Sequence, residues 1–313
     1  MFRGMEYVYE VYKEKSFSKA AKNLFISQPS LSANIKRVEE KIGYPIFDRS
    51  TKPLGLTEPG EKYIRSIEQI LAVENEYSDF VNDWGGLKTG SLTLGGSNLF
   101  SSWILPSLMG KFARRYPMVK LTLVEEGTSR LEKLLLDGGV DVMIDYRLAD
   151  EDSFDRRLFR REHVLLAVPK NLTAGKGLEK YEIPTEWIRD ESYLKDGVKP
   201  VPLEAFKEEP FVLLKPDNDT RKFGIRICQA YGFMPNISFE LDQQMTAYNV
   251  TSSGMGISFI GDTLVQKVPE NPRVVYYKLP LDVSGRGLYF YWKAGRYKSR
   301  AMEEFLAMAC VGQ

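Results

Sequence analysis

Several short segments of this chain set small polar groups between an apolar run and a helical pattern. Ser97 and Asn98 follow Leu92–Leu94, Thr128 and Ser129 follow Leu121–Val124, and Asp145 and Tyr146 follow Val140–Ile144. Later, Lys215, Asn218 and Thr220 follow Phe211–Leu214, and Met245 and Thr246 open another helical pattern. Where a strand ends and a helix begins, backbone N–H groups and hydroxyls suit an anion such as a carboxylate. A hydroxyl at Ser97 could equally do no more than cap its helix.

Covalent or metal chemistry finds few candidates. His163 is the single histidine, which removes most zinc sites and Ser-His-Asp triads. No P-loop, nucleophile elbow or GxGxxG followed by an acid occurs, and Gly254-Met255-Gly256 is too short to count. Cys228 and Cys310 are the only cysteines, so no disulfide framework is expected. The expectation is no catalytic residue, no metal and no cofactor.

A second set of residues suits nucleic acid. Between Ser16 and Tyr63 two short amphipathic helical patterns flank a tight polar break. Ser16 or Ser18 can cap the first, which carries Ala20, Ala21 and Leu24; Phe25 and Ile26 are then expected to pack inward. Ser27 can cap the second, with Pro29 in its first turn and Gly43 as its stop. Leu31, Ile35, Val38 and Ile42 share one face at helical spacing, leaving a polar, partly cationic face opposite. This is the pattern of a helix-turn-helix, whose second helix enters the major groove. Gln28, Pro29, Ser30, Ser32 and Ala33 are short enough to approach base edges, and Lys36 and Arg37 can reach phosphates. Arg49 and Lys52 lie near the tip of a Pro- and Gly-containing loop that reads as a wing. Residues 1–57 carry ten Lys/Arg against six acids, a local +4 within a chain total of +1. That asymmetry fits phosphate contacts confined to one end, and fits an ordinary solvated surface equally well.

These residues need elements to hold them. Met5–Lys13 predicts a first helix. Thr57 can cap a helix of roughly 28 residues in which Tyr63, Ile67, Ile70, Glu74, Tyr77, Val81 and Trp84 form a heptad seam. Little nearby sequence is available to cover it, so pairing with a second copy through residues 58–86 is expected. Gly85-Gly86 and Lys88-Thr89-Gly90 read as a hinge. Strand and helix patterns then alternate to the C-terminus, which predicts parallel α/β sheets in two lobes. His163 starts one of those strands at the expected lobe crossover, where a structural role is favoured for it. Residues 171–209 look irregular.

The Ser16–Tyr63 stretch resembles the N-terminal domain of LysR-type transcriptional regulators. The resemblance rests on Phe17, Ala20, Ala21, Leu24, Ser27, Gln28, Pro29, Ser30, Leu31, Ser32, Ile35, Glu39, Gly43, Phe47, Arg49, Leu56, Thr57 and Gly60. It continues more loosely through Gly90–Gly95, Leu105-Pro106, Phe112, Tyr116-Pro117, Leu134–Ile144 and Gly254–Ile257. It implies an all-α winged helix-turn-helix domain (1–57), a linker and dimerisation helix with hinge (58–89), and a two-lobed α/β effector domain like periplasmic binding proteins. Lobe 1 is expected at 90–162 and 268–313, and lobe 2 at 163–267.

The loops named at the outset would then face the cleft between lobes, with Lys215 as counter-charge for an anionic small-molecule effector. Double-stranded promoter or operator DNA is the implied macromolecular partner. A homodimer, a tetramer left open by a single seam, and RNA polymerase are further implied partners. An enzyme or a solute-binding protein with a DNA-binding appendage is the alternative. No apolar run is long enough for a bilayer and the N-terminus lacks a secretory pattern, so a cytoplasmic location is expected. Ala33 stands where many family members carry a longer polar or basic residue. Fewer direct base contacts are therefore expected from this position.

Overall fold

The computed structural model describes residues 2–51, 53–84, 90–146, 148, 152–172, 177–195, 197–216 and 218–310. Lys52 of the expected wing, Gly85, Gly86, Lys88 and Thr89 of the expected hinge, and the side chain of Trp84 lie outside the described residues. The chain divides into an N-terminal unit, Met1–Phe80, and a larger unit holding almost all of the remainder.

In the N-terminal unit α1 (Met5–Glu14), α2 (Phe17–Asn23) and α3 (Gln28–Ile42) precede a two-stranded ribbon of β1 (Phe47–Asp48) and β2 (Gly55–Leu56). The ribbon pairs Phe47 with Leu56 and Asp48 with Gly55, and α4 (Glu58–Trp84) follows it. The boundaries follow from capping. Ser16 accepts from the Lys19 amide, Ser27 from the Ser30 amide and Thr57 Oγ1 from the Gly60 amide, and Gly43 ends α3 in the left-handed region. Val8, Val11, Leu31, Ile35 and Ile46 fill the core, with Ala20 and Ala21 buried among them.

Two expectations need correction here. Phe25 does not pack inward; it is 95 % exposed. The end of α2 is a Schellman turn, with the Ile26 amide bonded to Ala21 O and the Phe25 amide to Lys22 O. That turn puts Phe25 at φ 54°, which swings its ring out while Ile26 packs on the core. The α4 seam is also split. Tyr63, Ile64 and Ile67 are buried in this unit's own core, so nearby sequence does cover the first half. Val73, Tyr77, Phe80 and Val81 of the second half are exposed.

The larger unit begins with β3 (Ser91–Gly96), α5 (Asn98–Trp103), α6 (Leu105–Arg115), β4 (Lys120–Glu125), α7 (Thr128–Asp137) and β5 (Val142–Asp145). It continues with β6 (Phe154–Pro169), β7 (Glu182–Ile183), α8 (Thr185–Arg189), β8 (Pro210–Leu214), α9 (Asp219–Ala230), β9 (Asn236–Leu241) and α10 (Gln244–Ser252). It closes with β10 (Ser258–Gly261), α11 (Asp262–Lys267), β11 (Val274–Lys278), α12 (Leu281–Ser284), β12 (Gly285–Lys293) and α13 (Arg300–Ala309).

The sheets are mixed, not wholly parallel as expected. In the first lobe β3 runs parallel to β4 and β5, but β12 is antiparallel to both β5 and β6. In the second, β8 and β9 are parallel, whereas β10 and β11 are antiparallel to β6. The cause is β6 itself, a 16-residue strand shared by both lobes. Its first half pairs with β12 as far as His163–Gly285, and its second half pairs with β10 from Val164–Gly261. The crossover expected at 162/163 thus falls inside one continuous strand. The return expected at 268 lies ahead of β11, which still pairs with the second half of β6. Residues 171–209 are less irregular than their composition implies. Ile183, Ile188, Tyr193, Leu203 and Phe206 from this stretch are buried.

Candidate functional site

The N-terminal unit presents the exposed face of α3. Gln28, Pro29, Ser30, Ala33, Lys36 and Arg37 are exposed along it, and Ser32 is half-buried. Ser18 Oγ donates to Gln28 Oε1 at 2.7 Å, fixing the start of α3 against α2. Lys36 and Arg37 are held only loosely, by Glu40 at 3.9 Å and Asn34 at 3.5 Å. Arg49 has an occupation the sequence did not disclose. Its guanidinium lies 3.3 Å from Glu39 and 5.4 Å above the Phe17 ring, while Glu39 Oε1 accepts from the Ile46 amide. The residue at the wing is therefore also a clamp between α3, α2 and the ribbon.

The larger unit contains a cavity of about 960 Å³ lined from both lobes. Ser97, Thr128, Ser129, Asp145, Tyr146, Asn218 and Thr220 all line it, as the sequence suggested. Ser97 occupies the N-cap position of α5, yet its hydroxyl makes no capping bond.

Asn98, Lys215 and Thr246 are not among the lining residues. Asn98 donates to Glu125 at the end of β4, Lys215 is paired with Asp242 at 2.7 Å, and Thr246 is exposed on α10. The expected counter-charge from Lys215 is thus directed to a neighbouring carboxylate.

The cavity's charged centre is instead Arg286, at the start of β12. It is 9 % exposed, and its cross-strand partner Glu162 is fully buried. Arg286 Nε donates to Glu162 Oε2 at 2.8 Å, and its NH1 donates to Thr220 Oγ1 at 3.0 Å. Its NH2 sits 2.7 Å from Glu162 Oε2 but off the direction a hydrogen bond requires. The guanidinium stacks on Tyr146, 3.4 Å from the ring centroid, and Tyr146 donates to Glu162 Oε1 at 3.2 Å. Burial pushes the Tyr146 hydroxyl well above its usual range, so it stays a neutral donor. A Cβ at Gly261 would overlap the Glu162 carboxylate, so glycine there leaves room for the pair.

Asp145, at the end of β5, accepts from Thr128 Oγ1 at 2.7 Å and from the Tyr146 amide at 2.7 Å. Burial pushes its carboxyl up to about 6 against those bonds, with Asp219 adding to the rise and Arg286 opposing it.

Sequence reasoning missed Arg286, Glu162 and Gln244, and with them the rim residues Arg156, Arg226 and Tyr289. The sequence did carry weak marks. Arg286 stands between two glycines just before an apolar strand, and Glu162 ends a charged run just before another. Only the register that sets them opposite each other turns two solvated-looking charges into a buried pair. His163 lies 3.8 Å from Asp262, beside the site rather than in it.

Residues 2–61 match the bacterial regulatory helix-turn-helix protein family of lysR type, and residues 85–310 match the LysR substrate binding domain. The chain belongs to the LysR family of transcriptional regulators: a DNA-binding helix-turn-helix domain joined to an effector-binding domain. Members of this family form oligomers.

The chain is 28 % identical over 306 residues to the uncharacterized HTH-type transcriptional regulator YcgK of Bacillus subtilis, covering 97 % of this chain and 92 % of that protein. It is 27 % identical over 298 residues to a probable RuBisCO transcriptional regulator of Gracilaria tenuistipitata, covering 94 % and 91 %. The fold is shared with full-length CbnR in complex with its target DNA (TM-score 0.67, 17 % identity, covering 99 % and 98 %). A full-length OxyR variant of Pseudomonas aeruginosa is similar in the same way (TM-score 0.69, 20 % identity, covering 98 % and 94 %). Among the described residues no helix is long and apolar enough to cross a membrane.

Proposed function

We propose that this regulator reads DNA with the exposed face of α3, pairs through the second half of α4, and responds to a small organic acid held in the cavity around Arg286. Gln28, Pro29, Ser30, Ser32 and Ala33 meet base edges, and Lys36, Arg37, Arg49 and Lys52 neutralise phosphates. The base-facing set is short and mostly uncharged. Affinity therefore leans on phosphate contacts and on two half-sites gripped by a dimer. The exposed stripe of Val73, Tyr77 and Phe80 repeats at coiled-coil spacing, which supports pairing there.

The observation that carries the effector reading is the cavity itself. It collects the ends of β3 and β5 and the starts of α7, α9 and α10 around a buried guanidinium, the arrangement in which α/β folds bind ligands. On this reading the protein works by binding, without catalysis, in the cytoplasm where its DNA lies.

Footprinting on the promoter beside its own gene, with and without candidate acids, tests the whole reading. Lys36→Ala should weaken binding to all sequences alike and lower the salt slope by ~1. Ser97→Ala should blunt the ligand response while DNA binding persists. An unchanged salt slope would remove Lys36 from the interface, and an unchanged response would remove Ser97 from the site.

A further inference from the structure

Three helices of eight residues or more start at this cavity, and their N-termini differ in what already occupies them. At α7, Thr128 Oγ1 donates to Asp145, so the protein's own carboxylate sits at that positive end. At α9, Asn218 accepts from the Thr220 amide, Asp219 stands in the first turn, and Asp219 Oδ2 lies 3.8 Å from Arg286. At α10 no side chain caps the helix and no acid stands in the first turn. Its first residue, Gln244, is 8 % exposed and lines the cavity, yet neither its amide nitrogen nor its amide oxygen has a hydrogen-bond partner. A buried amide with both ends unsatisfied costs free energy unless something polar meets it.

The two lobes therefore offer unlike groups to a ligand. Lobe 1 offers a buried carboxylate, Asp145, whose oxygens each accept a single hydrogen bond and keep further lone pairs. Lobe 2 offers an uncapped helix N-terminus with the orphaned Gln244; Lys222 and Arg226 of α9 share that wall with Asp219 and Asp242, the latter paired with Lys215. A plain carboxylic acid meets the second and leaves the remaining lone pairs of Asp145 unmet.

We propose that the ligand is an amphoteric acid of amino-acid type, its ammonium group against Asp145 in lobe 1 and its carboxylate against the α10 N-terminus and Gln244 in lobe 2. This rests on the reading of the cavity as the effector site and narrows the chemical class. The ligand then touches both lobes and bridges them by its own length.

Thermal shift and isothermal titration calorimetry of the full chain test this. The probes are the common α-amino acids, each with its deaminated acid and its decarboxylated amine. At least one amino acid should bind, with both of its truncated partners at least tenfold weaker. Binding measured at pH 6 in buffers of different ionisation enthalpy should release protons, because an arriving ammonium favours the charged form of Asp145, whose carboxyl burial holds up. Arg286 and Asp219 also face that carboxyl. Gln244→Ala should weaken amino acid and deaminated acid alike, and Asp145→Asn should erase the preference between them.

The wild-type panel decides the matter even if a variant fails to fold. Deaminated acids, or amines, that bind as well as their amino acids would overturn the amphoteric class while leaving the cavity as the effector site. A panel in which no amino acid, acid or amine binds would overturn both.

Discussion

Replacing Arg286 by Met is the most exacting perturbation this structure offers. The guanidinium and Glu162 are buried together and joined by Nε–Oε2 at 2.8 Å. Met keeps much of the stem's volume but removes the charge. Glu162 is then left with Tyr146 at 3.2 Å as its hydrogen-bond partner, and Thr220 Oγ1 loses its donor. Stranding one member of a buried pair costs about 3–5 kcal/mol, far more than the pair itself contributes against an apolar substitute. Adding Glu162→Gln should recover a large part, since no buried charge remains. Urea unfolding followed by tryptophan fluorescence reports on this unit through Trp103, Trp187 and Trp292. A single substitution costing under ~1 kcal/mol, or a double variant whose loss equals the sum of its parts, would refute the coupling.

Phe25→Gly should stabilise the N-terminal unit by about 0.5–1 kcal/mol, because glycine accepts the left-handed turn that Phe25 is forced into. Hydrogen exchange should show α2 and α3 amides protected about two- to fivefold more; unchanged or weaker protection would mean that the exposed ring holds something in place. Asp145→Asn should flatten a pH dependence. With its folded pKa about 6 against 3.8, the wild type loses stability as pH rises from 4 to 6, by about 3 kcal/mol. The difference between variant and wild type should shift by that amount in urea titrations across the window, and parallel curves would exclude Asp145 as the cause. Tyr77→Glu with Phe80→Glu should convert the oligomer to monomer in sedimentation experiments and weaken operator binding; retention of the oligomer would place pairing elsewhere.

The N-terminal unit was largely legible because its signals are local. Caps at Ser16, Ser27 and Thr57, the stop at Gly43 and the apolar face of α3 each act within a few residues. Gly60 illustrates a local signal with a distant cause: a Cβ there would collide with the carbonyl of Ile46. Phe25 was misread because an apolar residue beside an apolar residue says nothing about the sign of φ. The cavity was half legible. Loops after strands were found from periodicity, so Ser97, Thr128, Asp145 and Thr220 came out together. Arg286 and Glu162 did not, because a charge inside a strand becomes a buried centre only through pairing across 124 residues of sequence. The mixed sheet escaped for the same reason: a 16-residue strand serving two lobes reads, over its charged first half, like a loop.

That shared strand constrains how a ligand can act. β6 and β12 pair at the crossover, Glu162 and Arg286 lock them there, and Arg286 reaches Thr220 at the start of α9. The cavity floor is thus tied to both lobes before any ligand arrives, and groups on it have little freedom to report occupancy. On the proposed reading, the ligand acts through the spacing of the walls that carry Asp145 on one side and Gln244 on the other. A ligand shifts an equilibrium only as far as it binds one state better than another. A molecule that contacts a single wall gains the same contacts in either spacing and should occupy the cavity without altering the operator footprint. One that contacts both gains them together in a single spacing, and that difference is what the DNA-binding unit can be made to feel.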